Sequence, residues 1–229
     1  MEIWEEVKRR VLRHIVPEAI PGFGAGFYDK VARTAIAAYY QEVAKEIVAE
    51  VDCGTILDVG TGPGYLPIEI AKMAPNIEID AIDLSKKMIK IARSNARDAN
   101  LLQRIRFHVG DANDLKFADD SYDMVISTGA FHSWKNPARV FNQCFRVLKP
   151  GREAWIYDPS HIITAETEKL WRGKPPRGLD WLAYKWASMI SKAMPRADSI
   201  NDINHIIAAT NFKDYQVEQR EWLKIKLRK

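Results

Sequence analysis

From Gly54 onward the chain alternates short runs rich in Ile and Val with segments of helical period, and this alternation limits the fold more than any other feature. The runs are TILDVG, IEIDAID, IRFHVGD, YDMVIST and EAWIYDP, separated by helical patterns over 65–73, 85–99 and 136–148. Strands that alternate with helices connect through right-handed crossovers, which gives a parallel sheet covered on both faces. Helix-end chemistry supports the register. Ser85 is placed to cap the second of these helices, and Asn136 followed by Pro137 suits the start of the third. LKPG, Leu148 to Gly151, is expected to end that third helix before the fifth strand.

The flanks read differently. Ile3, Trp4, Val7, Val11, Ile15 and Val16 recur at helical spacing over 2–16, PEAIPGFGAG breaks the pattern, and 28–51 resumes it. Beyond Pro159 the segment WRGKPPRG is a break, 179–194 is helical with an aromatic face, and another helix is expected near 199–210. DYQVEQREWLKIKLRK alternates around a short turn and reads as a β-hairpin. The expected fold is α/β: a Rossmann-like, mostly parallel seven-stranded sheet with helices on both faces. A C-terminal antiparallel hairpin closes it, and helical lid segments lie at the N-terminus and after strand five.

Composition removes several classes of function. With 47% apolar and 28% charged residues the chain is not a disordered one. A net charge of +4, much of it in KRRVLRH and KIKLRK at the two ends, is too small to imply a nucleic-acid partner. Cys53 and Cys144 form neither a disulfide framework nor a metal-ligand spacing, and Cys144, within VFNQCFRVL, reads as a buried structural thiol. MEIWEEVKRRVLRH mixes acids and bases among its apolar residues, unlike a signal peptide, and no apolar run is long enough to span a membrane. A cytoplasmic location is the expectation.

Gly60, Gly62 and Gly64 follow the first strand and precede a helix, the place where open parallel sheets bind ligands. A dinucleotide loop reads G-x-G-x-x-G, with the helix N-terminus facing pyrophosphate. Here Tyr65 stands at the third glycine position and the pattern is G-x-G-x-G. The neighbours separate the candidates. Asp83 ends the second strand, where a carboxylate can accept both ribose hydroxyls, and Asp111 follows the third, within reach of an adenine amino group. Together they suit a nucleoside with no phosphate requirement.

ILDVGTGPG, AIDLS, GDAND, YDMVIST and VLKPG together resemble the motif series of class I S-adenosylmethionine-dependent methyltransferases. In pattern they are nearest the group containing the ubiquinone and menaquinone biosynthesis enzymes. The resemblance covers roughly 54–159. It implies that Asp58, Gly60 and Gly62, with Gly64 beside them, frame the methionine end of S-adenosyl-L-methionine. It also implies that Asp83 binds the ribose, that Leu84 lies beside the adenine, and that Asp111 and Ala112 contact its ring. Ser127 would lie near the sulfonium through its backbone, and Tyr28, in GFYDKVA, resembles a tyrosine that some relatives fold over the cofactor. One departure is that Arg152 follows KPG where relatives usually have a second glycine. The implied organisation is one methyltransferase domain over 1–229. It comprises a helical cap (1–51), a cofactor-binding core (54–159), a helical lid or substrate segment (160–211) and a hairpin (212–229).

Methyl transfer from a sulfonium needs alignment above all, and a general base only when the acceptor carries a proton that must leave. His132, in GAFHSW after the fourth strand, is the first candidate base, with His161 a weaker one. Asp158 is placed to orient substrate or to cap the loop after the fifth strand. Trp134, Trp171, Trp181 and Trp186 are candidates to line a site for a small, apolar or aromatic acceptor. The first helix, with Trp4 near Lys8, Arg9, Arg10 and Arg13, suits either a lid or a peripheral membrane contact. Three rivals remain. STGAF stands where amine-directed nucleic-acid methyltransferases resemble one another in Asn-Pro-Pro-aromatic, and Tyr65 disfavours a nicotinamide dehydrogenase. A protein that binds the cofactor without catalysis is the third.

Overall fold

The computed structural model describes residues 25–35, 37–158, 200–219 and 223–229. Seven strands form one sheet in the order β3-β2-β1-β4-β5-β7-β6. They are β1 (Cys53–Val59), β2 (Asn76–Asp83), β3 (Ile105–Val109), β4 (Tyr122–Thr128), β5 (Leu148–Asp158), β6 (Asp214–Gln219) and β7 (Leu223–Arg228). β1 to β5 run parallel, and β7 lies antiparallel to both β5 and β6. Strand order therefore reverses at β1, between β2 and β4, and a crevice opens beyond the carboxyl ends of these strands.

The period-2 alternation of each strand divides the core into two layers. Ile56, Ile79, Met124 and Ile126 face one layer with helices α1 (Ala25–Ala35), α2 (Ala37–Glu50), α3 (Tyr65–Met73) and α4 (Lys86–Asp98). Leu57, Ile82, Val125 and Ile156 face the other, with α5 (Pro137–Val147) and α6 (Ile200–Ala208). The α/β sheet with helices on both faces and the C-terminal hairpin thus stand as expected. Caps act where the sequence placed them: Ser85 Oγ accepts from Met88 N at 3.4 Å, and Asn136 Oδ1 from Arg139 N at 3.1 Å. Cys144 is fully buried, and burial pushes its thiol up to about 12.

Two expectations need correction. LKPG does not separate helix from strand, because β5 begins at Leu148, directly after α5. Leu148 pairs with Tyr122, and the ladder then jumps to Met124 with Glu153. The irregular stretch survives because Gly151 takes a φ of 74° and donates to the Lys229 carbonyl, while Lys229 N–H donates to the Arg152 carbonyl, both at 3.0 Å. Arg152 also turns toward Asp123, at 3.5 Å. Trp134 is core. It is 5% exposed and packs edge-on to Phe131 and Phe141, at 5.7 and 5.8 Å between ring centroids, so it lines no open face. Trp4, Trp171, Trp181, Trp186 and His161, with the helices over 2–16 and 179–194, lie outside the described residues. Among the described residues no helix is long and apolar enough to cross a membrane.

Candidate active site

The loop after β1 is shaped by the neighbours its glycines must clear. Gly60 and Gly64 both take positive φ, near 80°. A Cβ on Gly60 would come within 2.6 Å of Ala130 Cβ, and one on Gly64 within 2.9 Å of Ala92 Cβ and 3.1 Å of a Phe107 ring carbon. Gly64 therefore permits the close helix packing that a dinucleotide loop assigns to its third glycine, one place earlier in the chain. Tyr65 is then free for another task. Its hydroxyl donates to Asp29 Oδ1 on α1 at 2.9 Å. Asn95 on α4 donates to the same oxygen and to the Pro63 carbonyl, at 3.2 and 2.9 Å.

Asp83 braces the loop from the tip of β2. Its Oδ2 accepts from Gly62 N–H at 2.9 Å and its Oδ1 from Ser85 N–H at 2.8 Å. Burial raises its pKa, and these two backbone donors offset only part of the rise. Gly62 has positive φ, and a Cβ there would meet nothing closer than the Tyr28 ring, at 3.7 Å. Tyr28 thus lies over the loop. Its hydroxyl is enclosed, accepts a hydrogen bond from Tyr40, and is raised in pKa by burial, with the charges of Asp83 and Asp158 adding to the effect.

Asp58, at the end of β1, is 2% exposed, and its Oδ2 meets no hydrogen-bond donor. Burial lifts its carboxyl to about 7. The Thr61 hydroxyl beside it draws the value back without reaching hydrogen-bond geometry, and is itself buried and unsatisfied. Unsatisfied buried polar atoms are uncommon in native proteins and call for an explanation. Thr128 Oγ1, at the tip of β4, is a third such atom in the same region. Ser127 instead turns inward, and its hydroxyl donates to the Val59 carbonyl at 2.7 Å, which ties the ends of β4 and β1 together.

At the tips of β2 and β3, two apolar side chains stay in solvent. Leu84 is 44% exposed, and Val109, paired with Asp83 across the ladder, is 49% exposed. Asp111 is exposed and accepts from Asn113 through both backbone N–H and side-chain amide, at 2.8 and 2.9 Å, in an Asx turn. Ala112 is half-buried beside it.

On the other side of the switch point, His132 sits in a single 3-10 turn over Phe131–Ser133. The carboxylate of Asp158, from the tip of β5, reaches it twice: His132 Nδ1 lies 2.8 Å from Oδ1, and His132 N–H donates to Oδ2 at 2.6 Å. Asp158 is 2% exposed.

A family model described as a methyltransferase domain matches residues 51–186. The chain belongs to the class I S-adenosylmethionine-dependent methyltransferases. It is 30% identical over 151 residues to a demethylmenaquinone methyltransferase of Porphyromonas gingivalis, a match covering 64% of this chain and 62% of that one. With a demethylmenaquinone methyltransferase of Thermotoga maritima it shares 36% identity over 104 residues, 45% of this chain and 43% of the relative. The matches thus span less than two thirds of each relative's length. A solved structure assigned as an S-adenosyl-L-methionine-dependent methyltransferase of Methanococcus maripaludis superposes with a TM-score of 0.74 at 26% identity, covering 91% of this chain and 93% of that one.

For this methyltransferase the cofactor is S-adenosylmethionine, and the residues at the strand tips suit it. The glycine loop is braced by Asp83, Asp58 and Thr61 are unsatisfied, and Leu84 and Val109 offer apolar surface. Sequence reasoning named Asp58, Asp83, Leu84 and Tyr28, but missed Thr61, Thr128 and Val109 and the pairing of Asp158 with His132. Thr61 lay inside GTGPG, where its position was a sufficient signal. Val109 carried none, because an apolar residue at a strand end looks the same facing core or solvent.

Proposed function

We propose that this chain is an enzyme that transfers the methyl group of S-adenosylmethionine to a small, apolar or aromatic acceptor. S-adenosylmethionine supplies a methyl carbon on a sulfonium, open to in-line displacement with a neutral thioether as leaving group. Asp58 and Thr61 hold the methionine end, where an ammonium group would satisfy the carboxylate that burial otherwise lifts to about 7. Asp83 takes the ribose hydroxyls. Leu84, Val109 and Ala112 flank the adenine, with Asp111 at its edge. Ser127 contributes backbone near the sulfonium, and Tyr28 covers the loop. His132, across the switch point, stands on the acceptor side as the candidate general base.

The observation that carries this reading is Asp58, a buried carboxylate with an unsatisfied oxygen directly beneath a glycine loop. Both the P. gingivalis and T. maritima relatives are named for demethylmenaquinone, which supports an acceptor with an apolar ring system. The composition supports a small molecule over nucleic acid. The test is incubation of the full chain with methyl-labelled S-adenosylmethionine and cell extract. Label is expected in an organic-soluble small molecule. Tight cofactor binding with no transfer would mark a binding protein instead, and label in nucleic acid would overturn the acceptor class.

A further inference from the structure

The His132–Asp158 contact is built from two distant pieces of chain, and its geometry is specific. One carboxylate oxygen takes the backbone N–H of His132, which fixes the 3-10 turn, while the other faces Nδ1 of the ring. A carboxylate accepts and does not donate, so the neutral imidazole facing it carries its proton on Nδ1 and its basic lone pair on Nε2. When Nε2 gains a proton, the imidazolium is stabilised by a buried charge at 2.8 Å. Among the described residues, the titratable groups that feel the Asp158 charge from packed elements include Tyr28 of α1 and Tyr39 of α2. Burial raises the pKa of both and the Asp158 charge adds to it, so both stay neutral near pH 7. A turn that only needed capping would not require the ring to be gripped as well.

We propose that Asp158 is a positioning residue that fixes His132 as the Nδ1–H tautomer, and that Nε2 takes a proton from a phenolic or enolic hydroxyl on the acceptor. The inference rests on the methyltransferase reading above and names the acceptor chemistry of the same site. Acidity narrows the choice. A carboxylic acid is already ionised at pH 7, and a thioether or tertiary amine has no proton to lose. An alkyl alcohol, as weak an acid as water, lies too far above imidazole near 6.5. A phenol near 10 is within reach. An ammonium has similar acidity, so label recovered in an amine rather than in a phenol or enol would overturn this choice of acceptor. In the step, the acceptor's O–H proton moves to Nε2 and the bonding pair stays on the acceptor. That pair, on oxygen or delocalised to a ring carbon, forms the new bond to methyl, and the C–S pair departs with sulfur. The imidazolium then returns its proton to solvent.

The test has a readout independent of turnover. In the full chain with 15N-labelled histidine and adenosylhomocysteine, ring nitrogen shifts are expected to show His132 protonated on Nδ1. Asp158→Asn keeps an oxygen for the His132 N–H but presents an amide N–H to Nδ1, and is expected to reverse the tautomer. Label transfer from S-adenosylmethionine in cell extract is expected to fall about 10²–10⁴-fold, with adenosylhomocysteine affinity unchanged. An Nε2–H tautomer in the unaltered protein, or Asp158→Asn with undiminished transfer, would overturn the proposal. If the unaltered protein binds adenosylhomocysteine yet moves no label, the methyltransferase reading fails, while the tautomer measurement still decides the role of Asp158.

Discussion

Asp58 and Asp80 lie on adjacent strands, 2% and 7% exposed, yet their surroundings are opposite. Asp80 is saturated. Arg106 donates to both of its oxygens at 3.0 and 2.9 Å, His108 lies at 2.7 Å, and the Tyr122 hydroxyl donates at 3.0 Å. Burial alone would raise its pKa, but these partners outweigh it and hold the carboxyl below its usual value. Asp58, at the strand tip, keeps an oxygen with no donor, and burial prevails. Similar residues at similar depth therefore report different purposes. A carboxylate whose partners are all internal belongs to the architecture, and one left short at a strand tip is the one the proposed function gives to a ligand.

The largest effect that could break this contrast is linked to pH. Folded Asp58 binds its proton more tightly than in the unfolded chain, with a value of about 7 against 3.8. Its contribution to stability is therefore complete below the lower value and is lost as pH rises through the upper one. The difference in unfolding free energy between Asp58→Asn and the unaltered protein should shift in favour of the variant from pH 4 to 9. The shift is on the order of 4 kcal/mol at most. Denaturant titrations giving a flat difference would place Asp58 among the satisfied acids.

Asp80→Ala should act the other way, destabilising by about 3 kcal/mol because it strands the Tyr122 hydroxyl and the Arg106 guanidinium. The guanidinium, half in solvent, recovers part of its loss. Adenosylhomocysteine affinity, measured by calorimetry on the folded variant, should be unchanged. A large loss would bring Asp80 into the site. Asp83→Ala should weaken that affinity by about 1.5–3 kcal/mol, the scale of hydrogen bonds to a charged group. Unchanged binding would leave Asp83 as a brace for the loop. The smallest effect is expected at Leu84, where replacement by Ser should cost about 1 kcal/mol of affinity and less than about 0.5 of stability. Equal losses of both would mean that the side chain serves the fold.

What could be read from the chain follows the same division. Period and caps are local, so the five parallel segments, the hairpin, Ser85 and Asn136 were legible in the sequence. So was the glycine loop, although the packing role of Gly64 shows only once Ala92 and Phe107 stand against it. The Asp158–His132 contact was not, because GAFHSW and YDP become neighbours only when β4 and β5 pair. Asp80 reads as an ordinary polar residue of an alternating strand, and nothing local forecasts three partners from β3 and β4. The LKPG stretch misled because a helix stop and an irregular strand start both favour Pro-Gly, and only the Lys229 backbone decides between them. Trp134 was ambiguous for a related reason: an aromatic after a strand can face either way until its neighbours are known.

Asp29 collects the Tyr65 hydroxyl and the Asn95 amide, and Asn95 also grips the Pro63 carbonyl within the glycine turn. The first described helix is thereby buckled to the glycine loop, the proposed nucleoside cradle, through one shared oxygen. Whatever steadies the cradle must steady the helix to the same degree, since coupling free energy is reciprocal. Occupancy by a nucleoside should therefore slow amide exchange along Ala25–Ala35, a segment set apart in sequence from the residues proposed to flank the adenine.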